Sequence, residues 1–223
     1  MTTEQRNLVT VAVIGGTGKE GSGLAARWAL NGYHVIIGSR DAERAKAHAE
    51  ALNAEIGADL LRGTGNADAA AQANLVVLTV PYSAHHSTLE SIKSHLDGKV
   101  LLDITVPLQP PKVRTVHLPE GKSAAQEAQA IVGDGVRVVS AFQNVTHEKI
   151  QDIDGDIDCD VLMSGDDADA KEEVAKLVEA AGMRAVDAGP LANAVAAEAL
   201  TSVLLYINKK YGVKGAGVRI TGI

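Results

Sequence analysis

The residues best suited to chemistry sit in one short turn. Val13 to Gly21 reads VIGGTGKEG, and Gly16, Gly18 and Gly21 fit G-x-G-x-x-G directly after an apolar run and at the start of a helical pattern. Each position has a physical reason. Gly16 lets the chain turn sharply, Gly18 lets backbone N–H groups approach a pyrophosphate, and Gly21 lets helix and strand pack closely. The helix N-terminus adds about half a positive charge toward the phosphates. In this setting the pattern points to a dinucleotide, with a purely structural turn as the competing reading. A P-loop is excluded. It needs Gly-Lys-Ser/Thr at the end of the loop, whereas Lys19 precedes the last glycine and Ser22 follows Gly21 directly.

The end of the next apolar run selects the dinucleotide. An NAD site usually places Asp or Glu about 20 residues beyond the glycines, to hold the ribose 2′-hydroxyl. This chain has Gly38-Ser39-Arg40 there, with Arg44 one helical turn on. A carboxylate would repel a 2′-phosphate, whereas Ser39, Arg40 and Arg44 would bind it, which favours NADP. The same arginines could instead pair with Asp41 and Glu43 on a solvated face.

Other constellations are weaker. Tyr206 and Lys210 match Y-x-x-x-K, an acid–base pair on one helical face, but they lie 13 residues from the last residue, with no room for a substrate segment after them. Asp152 to Asp160 (DIDGDIDCD) resembles a calcium loop, yet Ile157 stands where glycine is needed and Met163 where glutamate is needed. His85-His86 and His147-Glu148 have no third ligand at metal spacing. Cys159, between two aspartates, should have a raised thiol pKa and makes a poor nucleophile. No catalytic side chain and no metal site is expected.

The elements that must position these residues are short apolar runs alternating with helical patterns. Strands are expected at Leu8 to Ile14, His34 to Gly38, Leu60 to Thr64, Leu75 to Val80, Lys99 to Val106, Gly135 to Ala141, Asp160 to Met163 and Met183 to Asp187. Helices are expected over 18–31, 41–56 with Asp41 as N-cap, 83–96, 122–132, 167–181 and 191–210. Strands that are apolar throughout are buried on both faces, as in parallel sheets. Repeated strand–helix–strand units then imply an α/β fold with a doubly wound, mostly parallel, Rossmann-type sheet. Pro107 to Gly121, with four of the six prolines, reads as a long surface loop, and from about residue 152 a small second layer is added.

Composition removes several classes. The chain has 223 residues, 46% hydrophobic and 22% charged, which is ordinary globular usage. Aromatics are only 3%, which disfavours nucleic-acid binding by base stacking. A net charge of −7 disfavours attraction to phosphate backbones or anionic membranes. A single cysteine forms no internal disulfide. No apolar run reaches the ~18 residues of a membrane span, and Met1 to Asn7 lacks the plan of a signal peptide. A cytoplasmic protein is expected.

Taken in order, VAVIGGTGKEGSGLAARWALNGYHVIIGSRDAERA, NLVVLTVPY, VVSAFQNV, DVLMSGDD and MRAVDAGPLANA closely resemble the NADPH-dependent reductases of the 8-hydroxy-5-deazaflavin coenzyme, the coenzyme F420:NADP oxidoreductases. The similarity spans nearly the whole chain. It implies that Thr17, Gly18, Lys19 and Glu20 form the pyrophosphate turn and that Ser39, Arg40 and Arg44 form the 2′-phosphate clamp. It places Thr79, Val80, Pro81 and Tyr82 beside the ribose and nicotinamide, with Val106 at the next strand end. It sets the stretch from Ala141 through Asn144, Val145, Thr146 and His147 where nicotinamide and deazaflavin meet, with Pro190 and Leu191 at the pocket's far edge. Relatives often carry proline where Thr146 stands.

The implied activity is hydride exchange between NADP(H) and coenzyme F420, with residues 1–150 as the NADP-binding core and 151–223 as an extension closing the deazaflavin pocket and contributing to a homodimer. Such transfer is borne by the two coenzymes, so the protein has to stack two rings and exclude water. That suits a chain with no evident nucleophile or general base. Lys209, Lys210 and Lys214, or Lys112 and Arg114, are candidates for holding an acidic deazaflavin tail. Two rivals remain at this point: an NADP-dependent reductase of a small imine or carbonyl, and a redox-sensing NADP-binding protein without turnover. Leu200, Val203, Leu204 and Ile207 give the last helix an apolar stripe suited to a dimer contact or to core.

Overall fold

The computed structural model describes residues 9–57 and 59–223. Its strands are β1 (Thr10–Ile14), β2 (His34–Ser39), β3 (Leu61–Gly65), β4 (Leu75–Leu78), β5 (Val100–Asp103), β6 (Arg137–Ser140), β7 (Asp160–Gly165) and β8 (Arg184–Asp187). They form one sheet in the order β3-β2-β1-β4-β5-β6-β7-β8. Neighbours run parallel except β6 and β7, which are antiparallel and pair only at Val139↔Gly165 and Ser140↔Ser164. Among the described residues the helices are α1 (Lys19–Leu30), α2 (Ala42–Ile56), α3 (Asn66–Gln72), α4 (Tyr82–Ile92), α5 (Ala124–Val132), α6 (His147–Gln151), α7 (Ala168–Ala180) and α8 (Ala194–Tyr211). This is the expected doubly wound Rossmann-type architecture. Leu8 and the Met1 to Asn7 segment lie outside the described residues.

Alternation along the central strands explains the two helical layers. Val11 and Val13 face one side with Leu24 and Trp28 of α1, Leu52 of α2 and Leu177 of α7. Ala12 and Ile14 face the other with Ala69 of α3, Leu89 and Ile92 of α4 and Ala125 of α5. Trp28 is fully buried and donates from Nε1 to the Leu177 carbonyl at 2.8 Å, so its one polar atom is satisfied. Its ring meets Phe142 edge-on, at 6.2 Å between centroids and 74° between planes.

Register matters most for function. Ile14 pairs with Leu78, Leu78 with Asp103, and Asp103 with Ser140. Four strand ends therefore finish level, beside the β1/β4 junction where the winding direction reverses. Ligands of open α/β sheets bind at such a crevice. β4 and β5 stop earlier than the apolar runs of sequence do. Residues 79–80 and 104–106 leave the ladder there, and Asp103 Oδ1 accepts the Thr105 N–H at 2.9 Å, turning the chain away from the sheet.

The C-terminal part is tied to this frame by charge and backbone bonds. The guanidinium of Arg27, on α1, donates to the carbonyls of Ile150 at 2.8 Å, Ala181 at 3.1 Å and Asp152 at 2.5 Å, which fixes α6 against α1. Arg184 donates to Asp160 from Nε at 2.9 Å, and Asp160 also accepts from the Ile220 N–H at 2.6 Å. Those bonds hold the Asp160 carboxyl down at a pKa of about 2. They also keep the segment after α8 beside β7. Residues 191–211 are long and apolar enough, by composition, to cross a membrane. This corrects the expectation that no run reaches that length, which Glu198, Thr201 and Ser202 obscure in the sequence. In the fold this stretch packs on the body, with Leu191, Ala194, Ala197, Glu198, Ser202 and Leu204 buried.

Candidate functional site

The glycine turn takes its shape from close approaches. Gly15, ahead of the motif, has φ +79° and makes the left-handed turn. A Cβ on Gly16 would sit 2.7 Å from the Val13 carbonyl, and one on Gly21 would sit 2.5 Å from Thr79 Oγ1 and 2.9 Å from the Gly16 Cα. Gly21 therefore lets α1 lie against the end of β4. Gly18 is exposed and caps α1 with no side-chain bond, so the first-turn N–H groups face outward as an anion cradle. Thr17 lies in the same turn.

Ser39, Arg40 and Arg44 come together at the tip of β2 and the first turn of α2. Ser39 Oγ accepts the Asp41 N–H at 3.2 Å, and Asp41 caps α2 by accepting the Arg44 N–H at 3.1 Å. Glu43 pairs with Lys46 at 2.6 Å. Among the described residues neither the Arg40 nor the Arg44 guanidinium has a carboxylate partner, and both are exposed. The carboxylates that could have neutralised them are engaged elsewhere.

Beyond the turn opens a cavity of about 420 Å³. Gly18, Lys19 and Glu20 line it from α1, Thr79 to Tyr82 from the end of β4, and Val106 from beyond β5. Asn144, Val145, Thr146 and His147 line it from the segment after β6. Gly16, Thr17, Ser39, Arg40 and Arg44 stand outside, on the side toward β2. Ala141 is fully buried and Leu191 is 3% exposed in the second core layer. Leu191 is held by its N–H to Asp166 Oδ1 at 2.9 Å, so Ala141, Pro190 and Leu191 form no part of the cavity wall.

Sequence reasoning missed Ile104, Thr105 and Leu108, the α8 residues Thr201, Leu204, Leu205 and Asn208, and Ala216, whereas Gln143 lies inside the expected stretch from Ala141 to His147. The α8 set repeats at i, i+3, i+4 and i+7, the spacing of one helix face. That signal was present but overlaps the apolar stripe read as a dimer contact. Of that stripe, Leu204 turns into the cavity and Val203 is exposed.

The cavity rests on a buried polar layer. Phe142 adopts φ +75°, a strained conformation for a large side chain, and its ring is anchored on Trp28. This kink turns the next residues over the cavity. Gln143 donates from Nε2 to the Asp103 carbonyl at 2.8 Å, Thr201 Oγ1 donates to the Gln143 carbonyl at 2.7 Å, and Gln143 Oε1 is buried with no partner. Asp103, fully buried, bonds His85 Nε2 at 2.7 Å. Glu198 accepts the Ala124 and Ala125 N–H groups at 2.7 and 3.1 Å; burial pushes its carboxyl up to about 8, helped by Asp103 and Glu127. Tyr82 donates its hydroxyl to Glu127 at 2.9 Å, and burial first, then that bond, push it up to about 12. Cys159 is buried and its thiol raised, chiefly by desolvation, and Tyr206 is exposed on α8, away from the cavity wall.

An anion cradle, an exposed basic pair at the β2 tip and a mostly apolar cavity in line with them suit an extended dinucleotide carrying a 2′-phosphate, with room for a second planar molecule. Comparisons with known proteins agree. Residues 10–107 match the family described as NADP oxidoreductase, coenzyme F420-dependent. An F420-dependent NADP reductase of Methanothermobacter marburgensis is 42% identical over 220 residues, covering 96% of this chain and 98% of the relative. One from Methanocaldococcus jannaschii is 40% identical over 223 residues, covering 96% and 98%. A crystallised Arthrobacter protein assigned as an F420-dependent NADP reductase superimposes with a TM-score of 0.81 at 27% identity, covering 96% of this chain and 100% of that one.

Proposed function

Because the chain belongs to the family of coenzyme F420-dependent NADP oxidoreductases, we propose that it exchanges a hydride between NADP(H) and coenzyme F420 by direct ring-to-ring transfer. The observation that carries this reading is the continuity of the site. The basic β2 tip, the N–H cradle of α1 and the cavity follow one another at the level ends of the strands. A dinucleotide laid along them has its 2′-phosphate at Arg40 and Arg44, its pyrophosphate over Gly16 to Gly18, and its nicotinamide in the cavity.

Bound together, the two coenzymes supply the chemistry, a hydride passing between nicotinamide C4 and deazaflavin C5. The protein's own part is geometric. Val80, Pro81, Val106, Val145 and Leu204 give flat apolar walls that exclude water and restrict tilt. Gln143, its amide held by the Asp103 carbonyl and its own carbonyl by Thr201, fixes the backbone of the wall between β6 and α6. Residues 151–223 contribute α8 and Ala216 to the wall, which supports reading them as the part that closes the deazaflavin side. Val203 and Tyr206, 43% and 56% exposed on the outer face of α8, support a homodimer, and we place the protein in the cytoplasm.

The test is anaerobic mixing of NADPH, oxidised F420 and a catalytic amount of protein, beside a panel of ketones and imines with NADPH. Loss of the deazaflavin visible band in step with NADPH oxidation is expected. An unchanged band together with turnover of a ketone or imine would refute the reading.

A further inference from the structure

One ionisable group on the cavity wall has no place in the scheme so far. Glu20 lies in the first turn of α1, two residues past Gly18 and one before Gly21, and lines the cavity while half-buried. Among the described residues it has no hydrogen bond and no ion pair. A half-buried carboxyl without a partner is costlier as the anion than an exposed one, and such groups concentrate at functional sites. Desolvation alone raises it, to about 8. The other titratable groups on the wall are Lys19, exposed beside it, Tyr82, committed to Glu127, and His147 at the start of α6. Glu148 and Lys149 follow on α6, the element packed against α1. None of these charges contributes to the shift of Glu20.

Its position along the coenzyme follows from the turn. The cavity starts at Gly18, where the pyrophosphate cradle ends, so the wall from Glu20 to Thr79 flanks the nicotinamide half. The exchange proposed above is unbalanced by one proton. When NADPH is the donor, the C4–H bond breaks with its electron pair, a C–H bond forms at deazaflavin C5, and a deazaflavin ring nitrogen gains a proton. The nicotinamide is left with a positive charge. We propose that Glu20 is the proton-exchanging residue of this reaction: its neutral carboxylic acid releases that proton during hydride transfer, and the resulting carboxylate faces the nicotinamide cation. In the opposite direction the carboxylate takes the proton back, and solvent restores the resting form between turnovers.

This inference rests on the proposed hydride exchange, but its main test does not involve the deazaflavin. The full chain is titrated with NADP+ and with NADPH by calorimetry in buffers of different ionisation enthalpy, at several values from about pH 6 to 9. Protonation of the 2′-phosphate is common to both coenzymes and cancels in the difference. Near pH 7.5, NADP+ should release about half a proton or more beyond NADPH, because the cation favours the carboxylate. The preference for NADP+ over NADPH should rise about tenfold between the ends of the range. In the near-isosteric Glu20→Gln variant both effects should vanish, and in Glu20→Asp the proton release should persist. Equal proton counts for the two coenzymes in the unaltered protein, or an undiminished difference in Glu20→Gln, would overturn the proposal. Single-turnover hydride exchange in Glu20→Gln at pH 7 should slow by roughly 10²-fold; an unchanged rate would mean another group moves the proton. Failure of the hydride reading itself would show separately, as no exchange with F420 by the unaltered protein.

Discussion

Replacing Arg40 by alanine isolates the element that we propose sets coenzyme choice. Arg40 is exposed at the β2 tip, has no carboxylate partner among the described residues, and supports nothing in the core, so the substitution should leave folding intact. In the proposed clamp its role reduces to a charge-assisted contact with a phosphate dianion. Such contacts contribute about 1.5–3 kcal/mol, and exposure with screening moves this one to the lower half of that range. A loss of about 1.5–2 kcal/mol corresponds to roughly 10–30-fold weaker NADPH binding. NADH has no 2′-phosphate, so its affinity should change by less than about twofold. Arg44, one turn on, reaches for the same phosphate, so adding Arg44→Ala should cost less than the sum of the single losses. Fluorescence titration of both coenzymes at low and at high salt measures all of this, and the NADPH advantage should shrink as salt rises. Equal losses for NADPH and NADH, or none for NADPH, would show that the clamp is elsewhere.

Two stability effects follow from buried groups. Trp28→Ala removes a fully buried ring that packs on Phe142 and bonds Leu177, and should cost about 3–5 kcal/mol in denaturant unfolding. It should also weaken F420 binding, because Phe142 holds the kink that brings Gln143 and Val145 over the cavity. Glu198 gives a pH signature. Its folded pKa of about 8 lies above the ordinary carboxylate value of 4.5, so the stability it lends is complete below that value and is lost as pH rises through 8. Thermal melts of the unaltered protein should decline over that window, and Glu198→Gln should flatten the slope.

What the sequence revealed was what local backbone geometry dictates. The glycine turn was legible because Gly16 and Gly21 answer to contacts at 2.7 and 2.5 Å that no Cβ can share. The grouping of Ser39, Arg40 and Arg44 that we propose as the clamp was legible because Ser39 and Arg40 end a clear strand. Helix α3, NADAAAQ, left no periodic signal, since seven alanine-rich residues need no apolar stripe to pack on β2 and β1. The antiparallel β7 reads like its parallel neighbours because burial on both faces imposes the same apolar composition either way. The far wall of the cavity was hidden for another reason. Thr105 and Thr201 join Gln143, itself inside the expected 141–147 stretch, only through sheet order and the Asp103 and Thr201 hydrogen bonds, contacts that span 40 and 58 residues. Leu191 serves the core layer beneath, and Pro190 is exposed ahead of it, so neither reaches the cavity wall.

Direct passage of hydride between the two rings is most sharply tested by isotope. NADPH deuterated at one C4 position at a time is mixed anaerobically with oxidised F420 and the protein in light water, and the product deazaflavin is examined by mass spectrometry and NMR. The account predicts that one of the two C4 labels arrives at C5 in full, with no dilution by solvent hydrogen, because Val80, Pro81, Val145 and Leu204 enclose rings in contact. Washout of the label into water, or its arrival from both C4 positions alike, would contradict it.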